Sequence, residues 1–430
     1  MYPYLTCPRT PYGKKIPFVS CPSDPPSKGE ESMSPTFPPP AGSSAVLQRP
    51  APGRTVFTAL SPAAAPAAIP AAEPLLLPAE AYGELRWLLA SALQSPAAAA
   101  VRLQRWLGTL PDGARLPALW AAAMQQQLAP AAGAVPRRPA PPAAHAAQAG
   151  LEAAAHHTAA AMLARLAPPD GELRLLLLGP GTACTAATVL ELLHAAGRPL
   201  PARVAVYAAE ADPAALLAGE RALQRAGTAC GLAVRFHALP LRGAVLPAAW
   251  PAELTAGGGT LLAYAAGRLP GADPAGPAPS AELLAEVNGL RPRALVLSVP
   301  DADLAAAGGP LGRFEAAWPY YEALFRWLGD RLLPAGVRMS LQARYGAGLA
   351  SVLGEAGPAG APTPEAPCVR TAEWIRRLQV SGYRPAPLPP GPGIGGPVTD
   401  GLRVQPNPWY YGLSYANVNL QSVLCAIPAF

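Results

Sequence analysis

Three residues of this chain have the types and the spacing to hold a ligand: Gly179, Gly181 and Glu210. The glycines lie in Gly179-Pro180-Gly181-Thr182-Ala183, directly after the apolar run Leu173–Leu178, and Glu210 closes a second apolar run that begins at Val204. A glycine turn lets the backbone approach a ligand closely, and an acid at the end of the next strand can accept hydrogen bonds from ribose hydroxyls. The motif is incomplete, because its third glycine position is Ala183 or Cys184 and Pro180 removes a backbone donor. The same residues equally describe a tight strand-to-helix turn without a ligand and a solvated strand end. Acid–base chemistry is poorly supplied: Leu262 to Arg268 offers Tyr264 and Arg268 but no carboxylate and no Asn-Pro-Pro turn. His156 and His157, on an alanine-rich stretch, and His237, in an apolar run, read as packing positions. The six cysteines form no CxxC pair and no zinc-ligand spacing, so no metal site is expected and a reduced intracellular compartment fits best.

The elements that must position these residues alternate. Strands are expected at Leu173–Leu178, Val204–Glu210, Val234–Leu239, Thr260–Ala265 and Ala294–Val299, with room for a helix between each pair. That order predicts an α/β, doubly wound, Rossmann-like sheet with right-handed crossovers. Upstream, leucines at helical spacing from Ala81 to Leu110, interrupted by Pro96, predict a helical hairpin, extended by Leu116–Leu128. A further helix runs from Ala144 to Leu166, and Phe314–Leu333 is amphipathic, with Trp318 and Tyr321 on its apolar stripe. Residues 1–78, rich in Pro, Ala and Ser, read as a disordered arm, and 129–142 as a linker. The expected division is thus an arm (1–78), a domain (79–390) comprising a helical cap (79–142) and an α/β core (143–390), and an atypical tail (391–430) that could hold the final strands.

The net charge of +6 comes almost wholly from arginines scattered singly, since lysine occurs only at 14, 15 and 28. Direct DNA binding, which needs cations clustered on one surface, is therefore the weakest expectation. No apolar run is long enough to span a bilayer, and residues 1–4 lack the start of a signal peptide. No membrane partner is expected.

Two resemblances follow. Gly179, Gly181 and Glu210 resemble the S-adenosylmethionine site of class I methyltransferases. Four blocks resemble the GRAS family of plant transcriptional regulators. Glu286–Leu297, with Leu290-Arg291-Pro292-Arg293, is similar to the helix that runs through "LRPR" into a strand. Arg313–Phe325, with Tyr320-Tyr321-Glu322-Ala323-Leu324-Phe325, resembles the "RF…A..YYSALFDSL" helix. Glu373–Pro385 is similar to "W..R…AGF.P", and Ala155–Ala159 to "AHFTANQAI". The chain departs from the family in having no aspartate after its first strand and no Trp-rich terminal strand region. The GRAS resemblance implies a methyltransferase-like fold with an N-terminal helical cap, no catalysis, no cofactor, and a nuclear regulator with cytoplasm open to it. The implied partners are other transcription factors or GRAS proteins, with homo- or heterodimers allowed and DNA contacted indirectly. Leu85, Leu88 and Leu89 of the cap, with Trp318 and Tyr321, are the expected partner-binding residues, although leucine-rich cap helices could equally be core. The competing expectation is a methyltransferase of a small molecule or protein, with S-adenosylmethionine held by Gly179, Gly181 and Glu210.

Overall fold

Six consecutive buried residues, Leu173 to Leu178, make a strand covered on both faces, which is how the middle of a parallel sheet is recognised. The computed structural model describes residues 78–111, 114–128, 150–210, 212–240, 246, 250–256, 258–266, 281–302, 309–331, 333–346, 349–353, 370–387, 396–399 and 401–429. All of them belong to the unit Pro70–Phe430. The expected arm before residue 78, the 129–142 linker, residues 144–149 of the expected fourth helix and Arg268 lie outside the described residues.

Strands β1 (Glu172–Leu178), β2 (Arg203–Glu210), β3 (Ala233–Pro240), β4 (Thr260–Ala266) and β5 (Ala294–Pro300) pair in parallel in the order β3-β2-β1-β4-β5. The strand order reverses between β1 and β4, where doubly wound sheets open their ligand crevice. Alternate residues of β1 face opposite sides. Leu173, Leu175 and Leu177 enter one apolar core, and Leu176 and Leu178 the other. Arg174 is buried among them, its guanidinium donating to the Leu254 carbonyl at 2.9 Å and to Glu172 at 3.3 Å.

Helices α1 (Pro78–Gln94), α2 (Pro96–Leu107) and α3 (Arg115–Leu128) form the cap, and Pro96 separates the first two as the sequence predicts. Then come α4 (Leu151–Leu166), α5 (Thr185–Ala195), α6 (Pro213–Cys230), α7 (Trp250–Thr255), α8 (Ala281–Gly289), α9 (Gly309–Asp330), α10 (Ala335–Gly346), α11 (Leu349–Leu353) and α12 (Thr371–Val380). The limits of α6 are written in its sequence. Asp212 caps its start by accepting from the Ala214 amide at 2.9 Å, Pro213 occupies its first turn, and Gly231 closes it at φ 68°. The amphipathic α9 packs on the cap as well as on the sheet, and its rings join a cluster in which Trp120 meets Phe314 edge-on at 4.9 Å and Tyr321 at 5.8 Å. No helix among the described residues is long and apolar enough to cross a membrane.

The segment after 390 is part of the sheet. Strands β6 (Tyr383–Pro385), β7 (Gly396–Thr399), β8 (Leu402–Pro406), β9 (Tyr410–Tyr415) and β10 (Val418–Pro428) extend it to β3-β2-β1-β4-β5-β10-β9-β8-β7, with β6 pairing the far end of β10. β10 lies antiparallel to β5 and to β9. The domain therefore does not stop at 390. Ala416 and Asn417, both at positive φ, form the two-residue turn that joins β9 to β10.

Candidate functional site

The reversal between β1 and β4 places Gly179, Gly181 and Glu210 together, as the sequence predicts, but in an arrangement closed on itself. Gly179 has φ 103°, and its amide donates to the Ala209 carbonyl at 3.0 Å. A Cβ there would stand 2.4 Å from the Ala266 carbonyl oxygen, so the close approach that demands glycine is to the end of β4. Gly181 has φ 76°, and a Cβ on it would lie 2.9 Å from His156 Nε2. The imidazole of α4 occupies the space above the turn. Thr182 seals the turn from below, its hydroxyl donating to the Gly179 carbonyl at 2.8 Å.

Glu210 is 4 % exposed, and its Oε1 accepts from the Gly181 amide at 3.1 Å while Oε2 is buried without a partner among the described residues. Burial pushes its carboxyl up to about 7, with Asp212 adding to the rise and the Gly181 bond opposing it. The Cys184 thiol is raised in turn, by burial and then by Glu210. Behind the turn, His156 Nδ1 pairs with the Tyr264 hydroxyl at 2.7 Å. Tyr264 is fully buried, which raises its phenol, and it is also bonded to Ser298, to which Gln421 Nε2 donates at 2.7 Å. A polar chain thus runs from α4 through β4 and β5 to β10. One oxygen of the acid placed for a ribose is taken by the turn's own amide, and the room above Gly181 is taken by a histidine. These residues do not fit a nucleoside cofactor as arranged.

A carboxyl raised from 4.5 to about 7 makes the folded state hold a proton that the unfolded chain has lost. Glu210 therefore contributes stability that is complete below pH 4.5 and lost as pH rises through about 7. Glu210→Gln is expected to flatten the fall in melting temperature between pH 5 and 8 and to melt above the parent at pH 8. Parallel melting curves for the two proteins across that range would refute the assignment.

Of the other histidines, His157 is exposed, and His237 stacks on Tyr207 at 4.5 Å as a structural ring. His156, read from sequence as a packing position, holds the polar chain. No group of three or more His, Cys, Asp or Glu able to hold a metal occurs among the described residues.

The expected partner-binding residues are corrected. Leu85 and Leu88 are fully buried, Leu89 is 7 % exposed, Trp318 5 % and Tyr321 4 %. Their stripes face each other where the cap closes on α9, so they are core. On the outer face of the cap Trp87 and Val101 are 45 % and 52 % exposed. The sequence carried a signal for Trp87, which falls outside the 85-88-89 stripe of its own helix. It carried none for Asp301, at the end of β5. Its Oδ1 accepts from the Thr371 amide at 2.7 Å and the Thr371 hydroxyl at 2.8 Å, and its Oδ2 from Asn419 Nδ2 at 2.8 Å.

No family model matches this sequence, and no curated protein matches it. Among solved structures, the crystal structure of SCL7 in Oryza sativa matches with a TM-score of 0.59 at 17 % identity, covering 80 % of this chain and 99 % of that chain. SCL7 is a GRAS-family protein. The capped, doubly wound sheet built here from β1 to β10 and α1 to α12 is therefore a fold shared with a GRAS structure along nearly its whole length.

Proposed function

We propose that this chain is a non-enzymatic transcriptional regulator of GRAS type that acts in the nucleus through protein partners. Other transcription factors or GRAS proteins are the partners, and DNA is reached through them. The observation that carries this reading is the clasp of Glu210 on Gly181 beneath His156, which turns a ligand-holding turn into an internal hydrogen bond. The shared fold and the four sequence blocks support the family, and the exposed cap face supports recognition of proteins. One observation favours the alternative, an S-adenosylmethionine-dependent methyltransferase: the buried Oε2 of Glu210 has an open acceptor position that a ribose hydroxyl would satisfy.

The full chain, fused to a heterologous DNA-binding domain, is expected to change transcription from a tethered reporter in plant nuclei. The same protein, titrated calorimetrically with S-adenosylmethionine and S-adenosylhomocysteine, is expected to give no binding heat. Micromolar binding that Glu210→Ala abolishes would overturn the reading in favour of the enzyme.

A further inference from the structure

The outer face of the α1–α2 hairpin carries a groove of about 590 Å³ lined by Glu84, Trp87, Arg102, Arg105, Trp106 and Thr109. Trp87 stands 45 % exposed on its wall, and the Arg102 guanidinium lies 4.6 Å over its ring. Arg105 pairs with no carboxylate among the described residues, and Val101, 52 % exposed, lies on the same short helix. An exposed tryptophan beside an arginine that pairs with no carboxylate combines two of the residue types most enriched at protein recognition sites.

We infer that this groove docks an acidic segment of a partner protein, one that places an aromatic or large aliphatic side chain between aspartates or glutamates. Two guanidiniums against the single carboxylate of Glu84 select negative charge. The indoles of Trp87 and Trp106 select an apolar side chain beside it. Nucleic acid fits less well: a base stacks on an open indole face, and Arg102 lies over that of Trp87, whereas a side chain can pack against the ring edges of Trp87 and Trp106. The inference rests on the protein-binding reading above and narrows it to one surface.

The probe is a short fluorescein-labelled peptide with Phe and Leu at its centre and Asp and Glu on both sides, titrated into the full chain and read by anisotropy. Micromolar binding is expected. Arg105→Glu, or lysines in place of the peptide's acids, is expected to weaken it at least about tenfold, Trp87→Ala to do the same, and Glu84→Gln to tighten it. These positions are exposed or groove-lining, so the variants are expected to melt with the parent; if Trp87→Ala does not fold, Arg105→Glu carries the test. The assignment is overturned if the parent does not bind, if Arg105→Glu binds as the parent does, or if a poly-dT oligonucleotide displaces the peptide. Should the peptide fail while the tethered parent still changes reporter output, the groove assignment alone falls; should both fail, the regulatory reading falls with it.

Discussion

Alanine at position 179 is expected to cost about 3–5 kcal/mol and to leave little folded protein at 37 °C. Two effects add. The backbone there sits at φ 103°, a conformation that L-residues adopt only under strain of about 1–3 kcal/mol. The new methyl group would also stand 2.4 Å from the Ala266 carbonyl oxygen, a backbone atom that cannot swing aside, so β1 and β4 would have to part at the switch point. Gly197 supplies the control. It has φ 61° and open space where its Cβ would go, so Gly197→Ala meets the conformational strain alone and is expected to cost about 1–2 kcal/mol. Urea unfolding of the two variants beside the parent reads the difference. Equal midpoints would mean that contact with β4 is not what requires glycine at 179.

Asp301→Ala is the second large effect, at about 3 kcal/mol. The carboxylate joins three elements: the end of β5 on which it sits, the N-terminus of α12 through the Thr371 amide and hydroxyl, and β10 through Asn419. Each is a hydrogen bond to a charged acceptor, and the one to the helix amide also gains from the positive end of the helix. Removing the carboxylate leaves the Thr371 amide without its acceptor and the Asn419 amide with the Ser422 hydroxyl alone, at 2.7 Å. Hydrogen exchange places the loss: the first-turn amides of α12 and the Leu420 end of β10 are expected to exchange faster in the variant, while β1 and β2 change only with global stability. Uniform acceleration throughout the sheet would show that Asp301 is not a local tie.

The parallel strands were legible because each is a short, mostly apolar run with room for a helix after it, and in Leu173–Leu178 five of the six residues are leucine. The α1–α2 boundary was legible because Pro96 cannot sit inside a continuous helix. Beyond 390 the signal faded. β8 carries buried Leu402 and Val404 between exposed residues, but β7 contains Gly396 and Pro397, and β10 mixes Asn, Gln and Ser into an apolar run. Those polar side chains are paid for by Ser298 and Asp301, which lie about 120 residues earlier, and no local pattern announces such a partner. The candidate site was legible as three residues but not as a geometry. Glycine spacing does not say whether the neighbour that needs the space is a phosphate or a carbonyl of β4, and no periodicity reveals that His156 covers the turn. The leucines of the cap were misassigned to a surface because an amphipathic stripe announces only that something covers it.

The position of β10 bears on how the chain is made. Residues 418–428 are translated after every other strand, yet they lie in the interior of the sheet, between β5 and β9. A nascent chain that has reached residue 415 holds β5 with one edge unpaired and apolar, and β9 with nothing beside it but β8. Its three-strand ribbon β7–β8–β9 pairs with the parallel half of the sheet only through β10. A product cut short before Val418 would thus display an edge suited to pairing with another chain, which is the form that chaperones and proteases retain. β10 is thus the strand that covers both edges at once, that of β5 and that of β9.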